Sequence, residues 1–262
     1  MTVAGLLLTG MVTAPWEAPA WKQMRAREPA LNLRGLEGAW GQGLMLGLLG
    51  GFRSITADFL WLQTNQAWEE QDLPRTQTLI GMITTVDPRP VYFWVNGARM
   101  IAYDMPQWRI EAAGGARVVP ASVQRRIDEQ QASVALQLLQ RGLGFHPDNP
   151  ALLIEIAMIY ERRLGDVAAS AEYFHRAALA PGAPPYAARI YGELLKRMGR
   201  DREAYAWLCE EYPKLDAADP GAMADLVLER IRLLEKKLGV PPEQRYKAPP
   251  PEKSHPAEKG TP

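Results

Sequence analysis

The chain has 262 residues, room for one large domain or two small ones, and its 47% hydrophobic and 23% charged content excludes a disordered or collagen-like chain. Thirty basic residues balance thirty acidic ones, so no cationic excess is available to neutralise phosphates and general nucleic-acid binding is disfavoured. A single cysteine, Cys209, and three scattered histidines (His146, His175, His255) leave no internal disulfide and no familiar zinc spacing.

Residues 1–16 carry no charge, and the apolar run VAGLLLTGMVTA at 3–14 is shorter than the roughly 20 residues of a free-standing transmembrane helix. We read it as a membrane anchor or the remnant of one. A cleaved signal peptide, which lacks its usual basic start here, and a plain buried segment remain the alternatives. Residues 17–53 form a connecting region. Trp16, Trp21 and Trp40 in this part suit either an interfacial aromatic belt or a core. Residues 44–62 are apolar again but include Arg53 and Asp58, which are expensive in lipid. They are expected to make a short approach, a break near Gly50-Gly51, and the start of a helix.

From residue 54 onward the pattern is helical. Segments 54–71 and 74–86 make one pair, closed by Asp87-Pro88. Segment 91–105 has Trp94, Ala98 and Ile101 on one stripe and pairs with 123–143 across an insertion at about 106–122. Segment 221–238 (Met223, Leu226, Val227, Ile231, Leu234) is suited to cap the open end, so the helical domain runs over 54–238. Residues 239–262 are rich in proline and are expected to be disordered.

Between these lies a period of 34. Gly165 and Gly199 are separated by it, as are Pro147 and Pro181, Ser170 and Ala204, and Phe174 and Leu208. Each glycine suits a left-handed helix C-cap, and each proline ends a second helix. The unit 185–213 places Gly192, Leu195, Gly199, Ala204 and Leu208 at alternating small and large positions. The unit before it does the same with Ala157, Tyr160, Gly165, Ser170, Phe174, Ala177 and Pro181, with one extra residue between Tyr160 and Gly165.

This spacing resembles the tetratricopeptide repeat, a helix-turn-helix unit of 34 residues. The segments LGGFRSITADFLWLQTNQAWEEQD (49–72), VDPRPVYFWVNGARMIAYDMPQW (86–108) and LGFHPDNPALLIEIAMIYERRLGD (143–166) are similar to a group of bacterial membrane-anchored tetratricopeptide proteins. The resemblance implies an all-α fold: a short right-handed superhelix of helix pairs with a C-terminal capping helix, behind the N-terminal apolar anchor. It also implies a non-catalytic scaffold of the cell envelope that binds a protein or peptide partner, with no cofactor or metal. The repeats are expected on the periplasmic side, although Lys22, Arg25 and Arg27 after the apolar run do not fix the orientation. A soluble peptide-binding adaptor, its N-terminus packed on the repeats, is the second reading. In the repeat family the first helices line a peptide groove. Carried over by register, its residues here are Asn96, Arg99, Met158, Glu161, Arg189, Glu193 and Lys196, whose cations suit carboxylates. Solvated helix positions are the plain alternative.

No catalytic motif stands beside these. Gly50-Gly51 and Gly114-Gly115 lack phosphate-loop spacing, and none of the five serines sits in a GxSxG elbow. Glu69-Glu70 and Glu210-Glu211 are adjacent and point apart on a helix. Cys209 is expected to be a buried inert thiol, and His146 a partner at a helix end. Trp61, Trp68, Trp94 and Trp207 are expected in the core.

Overall fold

The computed structural model describes residues 52–216 and 219–248, so the expected anchor at 1–16 and the connecting region up to residue 51 lie outside the described residues. Among the described residues all regular structure is helical. Helix α1 (Arg53–Glu69) pairs with α2 (Leu73–Val86). Helix α3 (Val91–Arg99) passes through a π turn, Met100–Asp104, into α4 (Met105–Ala112), and the three pack on the long α5 (Ala121–Phe145). Helix α6 (Pro150–Ile159) ends in a second π turn, Tyr160–Leu164, and pairs with α7 (Val167–Leu179). Helices α8 (Pro185–Arg197) and α9 (Asp201–Glu211) form the last pair, covered by α10 (Ala224–Leu238).

Short-range chemistry sets the boundaries. The Asp72, Asn149 and Asp166 side chains accept backbone N–H bonds at the starts of α2, α6 and α7, satisfying amides that have no partner inside the helix. Gly199 closes α8 with φ +75°. Its N–H reaches the Lys196 carbonyl and the next N–H reaches that of Leu195, the double bond of a Schellman cap. Gly165 takes φ +67° at the matching place, 34 residues earlier.

The extra residue in the earlier unit has a structural counterpart. It is absorbed by the π turn at Tyr160–Leu164, where the Asp166 N–H reaches back to the Tyr160 carbonyl. The segment expected as an insertion divides in two: α4 continues the helix through Ala112, and only about eight residues, 113–120, form a turn with Gly114 and Gly115 at positive φ.

Small residues are buried where helices cross. Ala157, Ser170 and Ala204 are fully enclosed. A Cβ at Gly192 would lie 2.7 Å from a Leu208 methyl, and one at Gly142 would lie 3.0 Å from the Trp94 ring. Trp94, Ala98, Ile101, Leu139, Leu152 and Ile156 share the central core; Leu153, Phe174 and Leu194 fill the next, and Leu195, Leu208 and Ile231 the last.

Two expectations need correction. Of the tail expected to be disordered, residues 249–262 lie outside the described residues, but the described part is held: the Tyr246 N–H bonds Glu235 Oε1 at 2.7 Å, and its carbonyl accepts from Arg232 at 2.8 Å, which stitches residues 242–246 to α10. Of the four tryptophans assigned to the core only Trp94 is fully enclosed. Trp68 lies at the surface, where its indole N–H donates to Asp104 at 2.8 Å, while Trp207, partly buried, donates to the Ala188 carbonyl at 2.9 Å. Among the described residues no helix is long and apolar enough to cross a membrane.

Candidate functional site

The first helices of successive pairs are α3, α6 and α8, followed by α10. They are joined by ion pairs involving three of the seven residues assigned to a groove, Arg99, Glu161 and Glu193. Arg99 Nε on α3 donates to Glu155 Oε2 on α6 at 2.7 Å. Glu161, in the π turn behind α6, accepts from Arg197 on α8. Glu193 on α8 meets Arg230 Nε from α10 at 2.8 Å and accepts from Lys196 Nζ at 3.0 Å. Neighbouring helices are therefore coupled pairwise, and cations and carboxylates alternate along the row.

The remaining candidates differ. The Asn96 amide donates to the Tyr92 carbonyl at 2.9 Å within its own helix. Met158 is partly buried against the core between α6, α7 and α8. Arg189 makes no ion pair among the described residues, and its Nε is buried without a hydrogen-bond partner. It shares a helix face with Glu193 and Lys196, four and seven residues on. The structure thus brings Glu193 and Lys196 together, couples Arg99 and Glu161 to other partners, and leaves Arg189 as the unpaired cation of the set.

Glu155, Arg197 and Arg230 were absent from the sequence reading. Glu155 had a signal: it is the single charge in the apolar run ALLIEIAMI at 151–159. It is 1% exposed, and burial raises its carboxyl above the ordinary range, with the Arg99 bond offsetting part of the effect. Arg197 and Arg230 follow their partners by slightly more than one repeat, a relation visible only once the helices are stacked.

Beside this row lies a polar cluster held by the two π turns. Arg163 pairs with Asp128 of α5 and stands 5.6 Å over the Tyr103 ring. Burial and the nearby Glu155 charge push the Tyr103 hydroxyl up to about 12. A second junction centres on Asp87, which accepts from Arg89 Nε at 2.7 Å and from the Ser54 hydroxyl at 3.1 Å. Burial alone would raise its carboxyl; the Arg89 and Ser54 bonds prevail and hold it below the usual value. The neighbouring Pro88 carbonyl accepts from the Trp94 indole at 2.9 Å and from His146 Nε2 at 2.8 Å, so His146 ties the end of α5 to this loop. On α9, burial pushes the half-buried Cys209 thiol up, away from thiolate reactivity. Among the described residues no three His, Cys, Asp or Glu side chains gather as a metal site. Neither a protein-family model nor a curated protein sequence matches the chain.

Proposed function

We propose that the chain is a non-catalytic protein-interaction scaffold of tetratricopeptide type: a short right-handed superhelix tethered to a bacterial envelope membrane through its N-terminal apolar segment, with the repeats on the periplasmic side. It captures a protein or peptide partner along the row of first helices. The left-handed glycines at a 34-residue interval and the enclosed small residues support the repeat reading. The observation that carries the binding reading is Arg189, a cation on the row whose Nε is buried and unpartnered while its neighbours pair with one another. A carboxylate of the partner meets the accessible part of that half-buried side chain, and Lys196 adds a second donor.

The test is Arg189→Glu combined with Lys196→Glu, compared with wild type for partner recovery after cross-linking in native membranes. Recovery should disappear, while helix content holds and stability falls by no more than about 1 kcal/mol, the worth of a partly exposed ion pair. Unchanged recovery overturns the groove. The tether is tested separately. Removing residues 1–15 should move the protein from the membrane pellet to the soluble fraction; a full-length chain that is soluble at high salt without detergent favours the soluble adaptor instead.

A further inference from the structure

Helix α1 is apolar on two sides. Ala57, Leu60 and Ala67 face the interior. On the outer side Phe52, directly before the helix, and Ile55, Phe59 and Leu62 are 57%, 65%, 58% and 66% exposed. Steps of three, four and three residues line them up along about 15 Å. One turn further on the same face the character changes: the Gln66 amide donates to Glu70 at 2.9 Å, with Glu69 exposed beside them. The outer face is thus apolar over its first three turns and polar over its last, and the apolar end is the one at which the chain enters. Outer faces at the ends of a repeat array are ordinarily polar, and a continuous exposed apolar row marks a surface used for contact.

Among the described residues the charges around the row are Arg53, Asp58, Glu69, Glu70 and Arg75, with Asp87 and Arg89 at the start of α1. Arg75 pairs with Glu70 at 3.1 Å, Arg89 pairs with Asp87 at 2.7 Å, and Arg53 is buried. No cationic excess is left to draw in anionic headgroups, so apolar burial is the force available. A second copy of the chain is a poor match in area. Four side chains of this size, little more than half exposed, offer at most about 600 Å². A standard interface takes about 800 Å² from each partner, with a hydrogen bond for about every 100–200 Å². The row itself carries no polar side chain before Gln66.

A bilayer surface asks for neither that area nor those bonds. In the reading proposed above, residues 1–16 are held by the membrane, and residues 17–51, even fully extended, span at most about 120 Å. Contact between α1 and lipid is then an intramolecular event, so a row too small to hold a free protein on a membrane is sufficient. We infer that α1 lies on the membrane surface, with Phe52, Ile55, Phe59 and Leu62 set into the boundary between headgroups and acyl chains. This rests on the tether reading and extends membrane contact from the N-terminal segment to the folded domain. Because apolar burial drives it, the contact forms on lipid of no net charge.

The experiment is photo-cross-linking of the full-length chain reconstituted with phosphatidylcholine vesicles, using Ile55→p-benzoylphenylalanine and, separately, Phe59→p-benzoylphenylalanine. Leu233→p-benzoylphenylalanine, at a 47% exposed position of α10, is the control. Vesicles are floated before irradiation, and adducts are identified by mass. Phosphatidylcholine adducts should form at both α1 positions and not on α10, and admixed phosphatidylglycerol should leave their yield unchanged. Adducts at dimer mass, adducts confined to the chain's own residues, equal lipid adducts on α10, or a requirement for phosphatidylglycerol overturn the inference. A chain that floats without lipid adducts on α1 overturns the docking alone, whereas a chain that does not float overturns the tether with it.

Discussion

Gly192 and Gly199 lie on the same helix and its cap, yet they are glycine for different reasons. At Gly199 a Cβ would meet nothing within 4 Å, so the constraint is the backbone, held at φ +75°. Gly199→Val should cost about 1 kcal/mol or more, and Gly199→Asn should recover much of it because Asn tolerates the left-handed region. Gly192 is the reverse case: its Cβ would press on Leu208, which is itself enclosed. Gly192→Ala should cost about 1–3 kcal/mol, and trimming Leu208 to Val should relieve part of that in the double mutant. Urea titration measures both. A different residue-scale effect belongs to Glu155. Its folded pKa is raised by burial, so the folded state holds the proton more tightly than the unfolded chain does. Its contribution to stability is therefore complete below the ordinary value of 4.5 and is lost as pH rises through the raised one. Asp87 acts oppositely, its contribution being present above 3.8 and lost as pH falls through its lowered value. Glu155→Gln should flatten the decline in urea midpoint above pH 4.5, and Arg99→Ala should steepen it. An unaltered profile in Glu155→Gln would assign the decline to other groups.

At the scale of elements, the π turn at Tyr160–Leu164 is the clearest departure from a uniform repeat. It carries Glu161 and Arg163, whose partners Arg197 and Asp128 sit on α8 and α5. Deleting Arg162 should convert the turn to ordinary α-helix and rotate these side chains away from their partners. Helix content should persist while thermal unfolding shows a loss of about 0.5–3 kcal/mol, the range of an ordinary disruptive change. Much at this scale was readable beforehand. Gly165, Gly199, Ala157, Ser170 and Ala204 announce pairing through backbone conformation and size, which depend on local spacing. The extra residue after Tyr160 was visible too, although its form was not, because a π turn and a loop insertion have the same length signature. The ordered stretch at 242–246 escaped because proline content argues against a core but says nothing of a backbone bonded to Glu235 and Arg232. The groove register did not anticipate how its residues pair. Arg99 finds Glu155 across 56 residues, and which carboxylate a guanidinium meets depends on how the helices stack.

At the scale of the molecule, stability among the described residues is distributed along a line, since each pair packs chiefly on its neighbours. The ion pairs between first helices run along that line, but those of Arg197 and Arg230 join partly exposed side chains and contribute no more than about 1 kcal/mol each, less in high salt. Enclosed apolar side chains such as Ile231 must therefore carry the coupling. Ile231 of α10 is fully buried among Leu195, Leu208, Val227 and Leu234. Ile231→Ala removes packing worth about 2–5 kcal/mol, but in a linear array that loss stays near its origin. Amide exchange should accelerate most in α10 and α9, less in α8, and negligibly in α1 and α2. A single globular core would instead transmit the change everywhere, so uniform acceleration from α1 to α10 would contradict the linear arrangement. Graded acceleration would mean that the C-terminal cap can be weakened without loosening the row around Arg99 and Glu155.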